Sequence, residues 1–207
     1  MPAANLQTIV VATRNAGKLR EFRSLLASLG SRILSLNDLS LDVEPEESGD
    51  SFVENARLKA VGYSCLTKYP VLADDSGLEV EALGGRPGIH SARYAGPGAS
   101  DSDRISKLLG ELENRGSNRS ARFVCALALA QDGVLLLETA GECRGIIAKG
   151  PRGTNGFGYD PVFLFPELGK TYAELGEPEK NQYSHRARAT ASLLGQLQAF
   201  PIANRQS

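Results

Sequence analysis

The chain has no apolar run approaching the ~18–20 residues that a membrane span requires. Nor does the segment from Met1 to Gln7 place a basic stretch before an apolar one. Neither a spanning helix nor a secretory leader is expected. Cysteine is scarce: Cys65, Cys125 and Cys143 are odd in number and fit no metal-ligand spacing. A disulfide framework and a cysteine-bound metal are therefore disfavoured, and incidental thiols in a reducing, cytoplasmic setting are expected. Charge of one sign is not in excess either. Lys and Arg number 23 against 24 Asp and Glu, a formal net charge of −1, and no basic run is long. Nucleic acid binding, which usually needs a basic face, is not expected. An anionic ligand would have to be held locally, by backbone N–H groups, a few cations or a metal.

What is present suits a globular protein. With 207 residues, 42% of them hydrophobic and 23% charged, the chain can bury a sizeable core as one domain spanning residues 1–207. The run TIVVAT at 8–13 reads as a buried strand. An amphipathic helix begins near Lys18, carries Leu19, Phe22, Leu25, Leu26 and Leu29 on one face, and stops at Gly30. A weaker strand at 33–36 and an acidic loop at 42–50 precede a helix through Phe52, Ala56, Ala60 and Tyr63. VLADD at 71–75 is a strand closing on two carboxylates, and alternation resumes at Leu78 and Val80. Ser100 and Asp103 have the spacing of a helix cap before Ile105, Leu108, Leu109 and Leu112. Asp132-Gly133 between apolar runs is a hairpin turn. A separate strand is expected at 145–148, a glycine-rich loop at 150–160, and a last helix from Ser184 to about Ala199. The tail at 202–207 is expected to be loosely ordered. Helices and strands interleave, so the fold class is α/β with a mixed central sheet.

Four segments carry chemistry. Thr13-Arg14-Asn15-Ala16-Gly17-Lys18 lies between a strand and a helix, where N–H groups and the helix dipole face an anion. The segment is not a P-loop, because Leu19 stands where a magnesium-binding Ser or Thr belongs; Asn15 alone reads equally well as a helix cap. Glu46-Glu47-Ser48-Gly49 is by itself a solvated acidic loop. Asp74-Asp75-Ser76-Gly77 closes a strand with two carboxylates, which suits Mg²⁺ as much as a capped turn. The last is a pair, Gly156-Phe157-Gly158-Tyr159-Asp160 with Lys180 and Ser184-His185-Arg186. An aromatic between glycines can stack on a base, while a His-Arg pair alone is commonly surface charge.

Taken together, the segments ATRNAGKLREF, ADDSGLEVEALGGRPGIHSARYAG, GTNGFGYDPVF and SHRA resemble the inosine triphosphate pyrophosphatase family, in order and over nearly the whole chain. The resemblance implies a cytosolic homodimer with two lobes and a nucleotide cleft between them. It also implies dependence on Mg²⁺ and hydrolysis of ITP, dITP and XTP to the monophosphate and pyrophosphate. By the same resemblance Thr13, Arg14 (through its backbone), Asn15, Ala16, Gly17 and Lys18 form the triphosphate loop. Glu46 and Asp75 bind the metal, Asp75 is the catalytic carboxylate, and Ser76 touches substrate. Phe157, Gly158, Tyr159, Asp160, Lys180, His185 and Arg186 form the pocket for the base, with donors from His185 or Arg186 aimed at a 6-oxo group. Asp74 and Glu47 neighbour the metal. Competing readings are a pyrophosphatase for other modified nucleotides and a catalytically silent nucleotide sensor.

Overall fold

The computed structural model describes residues 6–43, 45–113, 115 and 117–199; the tail at 202–207 lies outside them. Seven strands form one sheet in the order β2-β1-β3-β4-β5-β6-β7. Strand β1 (Thr8–Ala12) is buried along four of its five residues, as a strand covered on both faces must be. It pairs in parallel with β2 (Arg32–Ser35) on one side and with β3 (Val71–Val80) on the other. Helices α1 (Ala16–Leu25) and α2 (Phe52–Ser64) make the connections. The chain leaves β1 for β2 on one side and returns past it to β3 on the other. Crevices at such reversals, outside the carboxyl ends of the strands, are where open α/β sheets bind ligands.

Helix α1 starts at Ala16 rather than near Lys18, because Asn15 caps it. The turn Ala27–Leu29 then ends at Gly30 with φ 66°, the left-handed stop the sequence called for. Strands β4 (Ser120–Gln131) and β5 (Val134–Ile147) form the expected hairpin. Asp132 and Gly133 both have positive φ, 51° and 76°, which is the type I′ turn that matches strand twist.

The strand expected at 145–148 is not separate but continues β5 through Gly145. A Cβ there would sit 2.5 Å from the Leu164 carbonyl oxygen and 2.6 Å from Phe163 Cζ. Glycine in this strand therefore admits a neighbour rather than ending an element. That neighbour is β6 (Phe163–Phe165), followed by β7 (Lys170–Thr171), both antiparallel to their partners. Three and two residues are too few to show alternation in a sequence. Helix α3 (Asp101–Glu113) buries Ile105, Leu108 and Leu112, with Leu109 half-covered. Helix α4 (Glu177–Tyr183), unforeseen, precedes α5 (His185–Ala199).

The chain divides into two compact units. The first comprises Met1–Asp75, Cys125–Gly141 and Arg186–Ser207, and the second Ser76–Val124 and Glu142–His185. Each has its own core. In the first, Ile9, Val11, Phe22, Leu26, Leu72, Leu127 and Leu193 pack together. In the second, Leu78, Leu108, Phe123, Ile147, Phe163 and Tyr172 do so.

Gly145→Ala is expected to destabilise the protein by about 1–3 kcal/mol, the usual cost of overpacking. Urea unfolding followed by circular dichroism measures it. A substitution at Gly110, where nothing lies within 4 Å of the added Cβ, serves as the control.

Candidate active site

Parallel pairing sets Ala12 beside Ala73, so the loop after β1 lies beside Asp74 and Asp75; the strand expected to close on these two carboxylates instead runs on through them to Val80. After β1, the Asn15 side chain accepts the Lys18 N–H at 3.0 Å, and Thr13 Oγ1 accepts the Asn15 N–H at 3.2 Å. Both side chains act here as acceptors. The cap satisfies the third N–H of α1, leaving those of Ala16 and Gly17 at the open helix end. The Arg14 side chain turns aside to donate to the Leu41 carbonyl at 2.9 Å. Its backbone alone stays with the loop.

Along β3, consecutive side chains face opposite ways. Asp74 is 3% exposed and accepts from Lys18 Nζ at 2.9 Å and from Arg186 Nη2 at 3.4 Å. Burial alone would raise its pKa, but Lys18 and Arg186 outweigh that and hold it far below the usual carboxylate range. Asp75 lies on the other face, 3.3 Å from Lys59 Nζ. Burial dominates there and raises the Asp75 pKa against the pull of Lys59 and Lys18. Lys59 in turn is held protonated: Asp75, Asp74 and Glu47 together overcome its burial.

Glu47 reaches Lys59 Nζ at 3.5 Å. A small cavity of about 120 Å³ is lined by Thr13, Arg14, Lys18, Glu47, Lys59 and Asp74 among others. Glu46 and Glu47 are both exposed, and Glu47 is the one drawn to Lys59. The full cluster also includes Glu21, which accepts from Arg186 Nη1. Three cations (Lys18, Lys59, Arg186) thus meet four carboxylates (Glu21, Glu47, Asp74, Asp75), one negative charge in excess when all are ionised.

Asp75 Oδ2 is buried and has no hydrogen-bond partner among the described residues. An orphaned carboxylate oxygen beside a second acidic side chain is what a hard cation would satisfy. Among the described residues no three His, Cys, Asp or Glu side chains gather closely enough to hold a metal by themselves. Mg²⁺ does not require that, since it takes one or two carboxylates and completes its shell with waters and phosphate oxygens. The residues fit the ion.

In the second unit, Asp160 organises the glycine-rich loop. Its Oδ2 accepts the Phe157 N–H at 2.9 Å and the buried Lys180 ammonium at 2.6 Å. Gly156 is required here not only by its φ of 77° but because a Cβ would fall 2.1 Å from that oxygen. Lys180 Nζ stands 4.9 Å from the centroid of the half-buried Phe157 ring and 5.4 Å from that of Tyr172. Gly158, with φ 63°, donates its N–H to Asp101 Oδ2 at 2.7 Å. The buried Tyr159 hydroxyl donates to the Ser91 carbonyl at 3.0 Å, a structural bond. Ser76 follows Asp75 on β3, half-buried. His185 is 4% exposed and stacks on Phe123 with centroids 4.7 Å apart.

Arg186, expected with His185 in the base pocket, pairs here with Asp74 and Glu21, buried to 1% exposure and 5.6 Å from the Phe22 ring centroid. Burial would lower its pKa, but Asp74 and Glu21 raise it further. Lys59 and Glu21 went unnoticed in the sequence. Yet helical spacing held the signal: Lys59 is three residues from Ala56 and four from Tyr63, on the buried face of α2. Glu21 sits likewise three residues after Lys18.

Lysines and carboxylates thus gather in an α/β protein where β1 ends and its parallel pairing with β3 stops. The chain belongs to the Ham1 family, whose model matches residues 9–196. It is 53% identical over 189 residues to the dITP/XTP pyrophosphatase of Geobacillus kaustophilus, an alignment covering 91% of this chain and 93% of that one. It is 50% identical to the dITP/XTP pyrophosphatase of Gloeobacter violaceus, with the same coverage. A solved structure of a HAM1 protein from Coxiella burnetii superposes with a TM-score of 0.84 at 43% identity, covering 93% of this chain and 99% of that one.

The two adjacent aspartates are expected to differ in kind. Asp74→Asn strips Lys18 and Arg186 of a buried counter-charge and lowers stability by about 3–5 kcal/mol. Asp75→Asn replaces a carboxylate whose charged form burial already disfavours, and leaves stability unchanged or higher at neutral pH. Urea denaturation of the two variants at pH 7 checks the difference.

Proposed function

We propose that the protein hydrolyses ITP, dITP and XTP between the α- and β-phosphates, releasing the nucleoside monophosphate and pyrophosphate. The observation that carries the proposal is Asp75. Its carboxylate is half-buried and held by one lysine, with a buried oxygen left over, just past the parallel pairing of β3 with β1, near the open N–H groups of α1. Names carried by relatives sharing half of the sequence agree with the chemistry those groups can do.

The triphosphate lies against the N–H groups of Ala16 and Gly17, with Thr13, Arg14 and Asn15 shaping the loop. Lys18 offsets charge on the departing pyrophosphate. Glu46 and Asp75 would hold Mg²⁺, with Glu47 beside them on Lys59. When bound, the ion supplies Lewis-acid polarisation of the phosphate oxygens. Asp75 also takes the proton of the attacking water at a carboxylate oxygen, a role that its raised pKa suits. Lys59 keeps that carboxylate oriented, and Ser76 touches the substrate beside it.

The base stacks on Phe157, in the loop formed with Gly158, Tyr159 and Asp160. Lys180 is a pure donor, so besides its bond to Asp160 it can offer an N–H to a 6-oxo oxygen but not to a 6-amino group. His185 lines the same side. For Arg186, reading the base requires its guanidinium to exchange Asp74 or Glu21 for the 6-oxo group. A site built on such bonds can discriminate by ~10⁴–10⁵. The cytoplasm as compartment and a homodimer as assembly complete the proposal, both on the strength of the family resemblance. Sedimentation at twice the chain mass tests the dimer.

The deciding measurement is product release with Mg²⁺. ITP and XTP are expected to yield pyrophosphate, and ATP little; orthophosphate as the first product sinks the proposal. Asp75→Asn should nearly abolish turnover while the protein stays folded. Lys18→Ala should cost roughly 1.5–3 kcal/mol in triphosphate binding and rate, as expected for a charge-assisted hydrogen bond. Arg186→Ala should lower kcat/KM for ITP and XTP far more than for ATP, whereas Phe157→Ala should weaken all purines alike. Equal losses for ITP and ATP in Arg186→Ala would assign that residue to the carboxylate cluster alone.

A further inference from the structure

We infer that Asp101, clamped by Arg104, is a positioning residue for the Phe157–Gly158 step of the base-stacking loop; this rests on the function proposed above. Asp101 is the first residue of α3, and an acid there usually serves the helix dipole or the cap. Capping is already done by others. Asp103 N–H donates to Ser100 Oγ at 3.2 Å, and Asp103 Oδ2 accepts the Ser100 N–H at 2.9 Å and its hydroxyl at 2.6 Å. Asp101 is thereby free to reach a segment 57 residues away, where its Oδ2 accepts the Gly158 N–H at 2.7 Å.

The other oxygen is held in place. Arg104 Nη2 pairs with Asp101 Oδ1, while Nη1 of the same guanidinium donates to the carbonyls of Ala92 at 2.9 Å and Ala99 at 2.6 Å. One planar group thus fixes the carboxylate against the backbone before α3. Two carboxylates then grip consecutive N–H groups of the loop: Asp160 takes that of Phe157 at 2.9 Å and Asp101 that of Gly158 at 2.7 Å. With both N–H groups fixed, the peptide between Phe157 and Gly158 cannot rotate. The Phe157 side chain therefore leaves the loop from a fixed backbone, despite two flanking glycines at φ 77° and 63°. A bond that pre-orders a binding surface adds affinity by sparing the entropy that binding would otherwise spend.

The test compares Asp101→Ala, Asp101→Asn and Arg104→Ala with the unaltered protein. The readouts are kcat and KM for ITP, inhibition by inorganic tripolyphosphate, and hydrogen exchange at the Gly158 amide. Asp101→Ala should raise KM for ITP about tenfold, the scale of one lost hydrogen bond to a charged group. It should leave kcat and tripolyphosphate inhibition unchanged and speed exchange at Gly158. Asp101→Asn keeps an acceptor and should restore most of the affinity; Arg104→Ala should fall between the two. An unchanged KM or an unchanged Gly158 exchange rate in Asp101→Ala overturns the inference. So does tripolyphosphate inhibition weakening in step with ITP. If the unaltered protein releases no pyrophosphate from ITP, the proposed function fails by itself, and Gly158 exchange alone decides the role of Asp101.

Discussion

A carboxylate buried within a strand, just past its parallel pairing with a neighbour, keeps its charge because cations reach it. Asp74, nearly sealed from water, is that group, and Lys18 and Arg186 are the cations. Its position dictates much around it. Lys18 must project from the first turn of α1, which fixes how that helix leaves β1. Arg186 must stand at the start of α5 with its far side met by Glu21. Because neighbouring residues of a strand face opposite ways, anchoring Asp74 inward turns Asp75 outward, beside Lys59. The difference between the two aspartates is one of company. Asp74 has two cations at hand and stays ionised, whereas Asp75 has one within reach and an oxygen to spare.

The second unit repeats the device in milder form. Asp160 spends one oxygen on both the Phe157 N–H and the Lys180 ammonium. The lysine so held stands over the faces of Phe157 and Tyr172. In each unit a buried acid therefore fixes a lysine that would otherwise sample many rotamers. The ordering of a long cationic side chain, which costs up to ~2 kcal/mol in lost freedom, is settled in the folded chain ahead of any ligand.

Legibility in the sequence followed signal strength. TIVVA, the Asn15 cap, Asp132-Gly133 and the Ser100–Asp103 cap each combine a local rule with a residue type that obeys it, and each stands in the structure where expected. Strands β6 and β7 could not be read, because pairing with a neighbour defines them and periodicity does not. Gly145 misled for a related reason, since a glycine that admits a passing strand looks locally like one that ends a strand. The phosphate loop and the aspartate pair were visible as motifs. Which cation Glu47 meets, and where the Arg186 guanidinium goes, depend on tertiary contacts with residues far along the chain. Helical spacing offered a hint for Lys59 and Glu21, charges lying on otherwise apolar faces. The resemblance to a family joined the motifs, but it could not by itself distinguish a residue that touches a ligand from one that holds another residue.

The buried charge of Asp74 also reaches a thiol. Cys125 lies within the first core, and burial, reinforced by that nearby carboxylate, pushes its pKa up to about 12. Almost no thiolate forms there at neutral pH, and thiolate is the species that alkylating agents and peroxides attack. Cys143 is likewise buried, whereas Cys65 is exposed. The unmodified chain therefore offers a single chemical handle at the end of α2. A fluorophore or spin label can be attached there without removing any cysteine or disturbing the carboxylates on which the site depends.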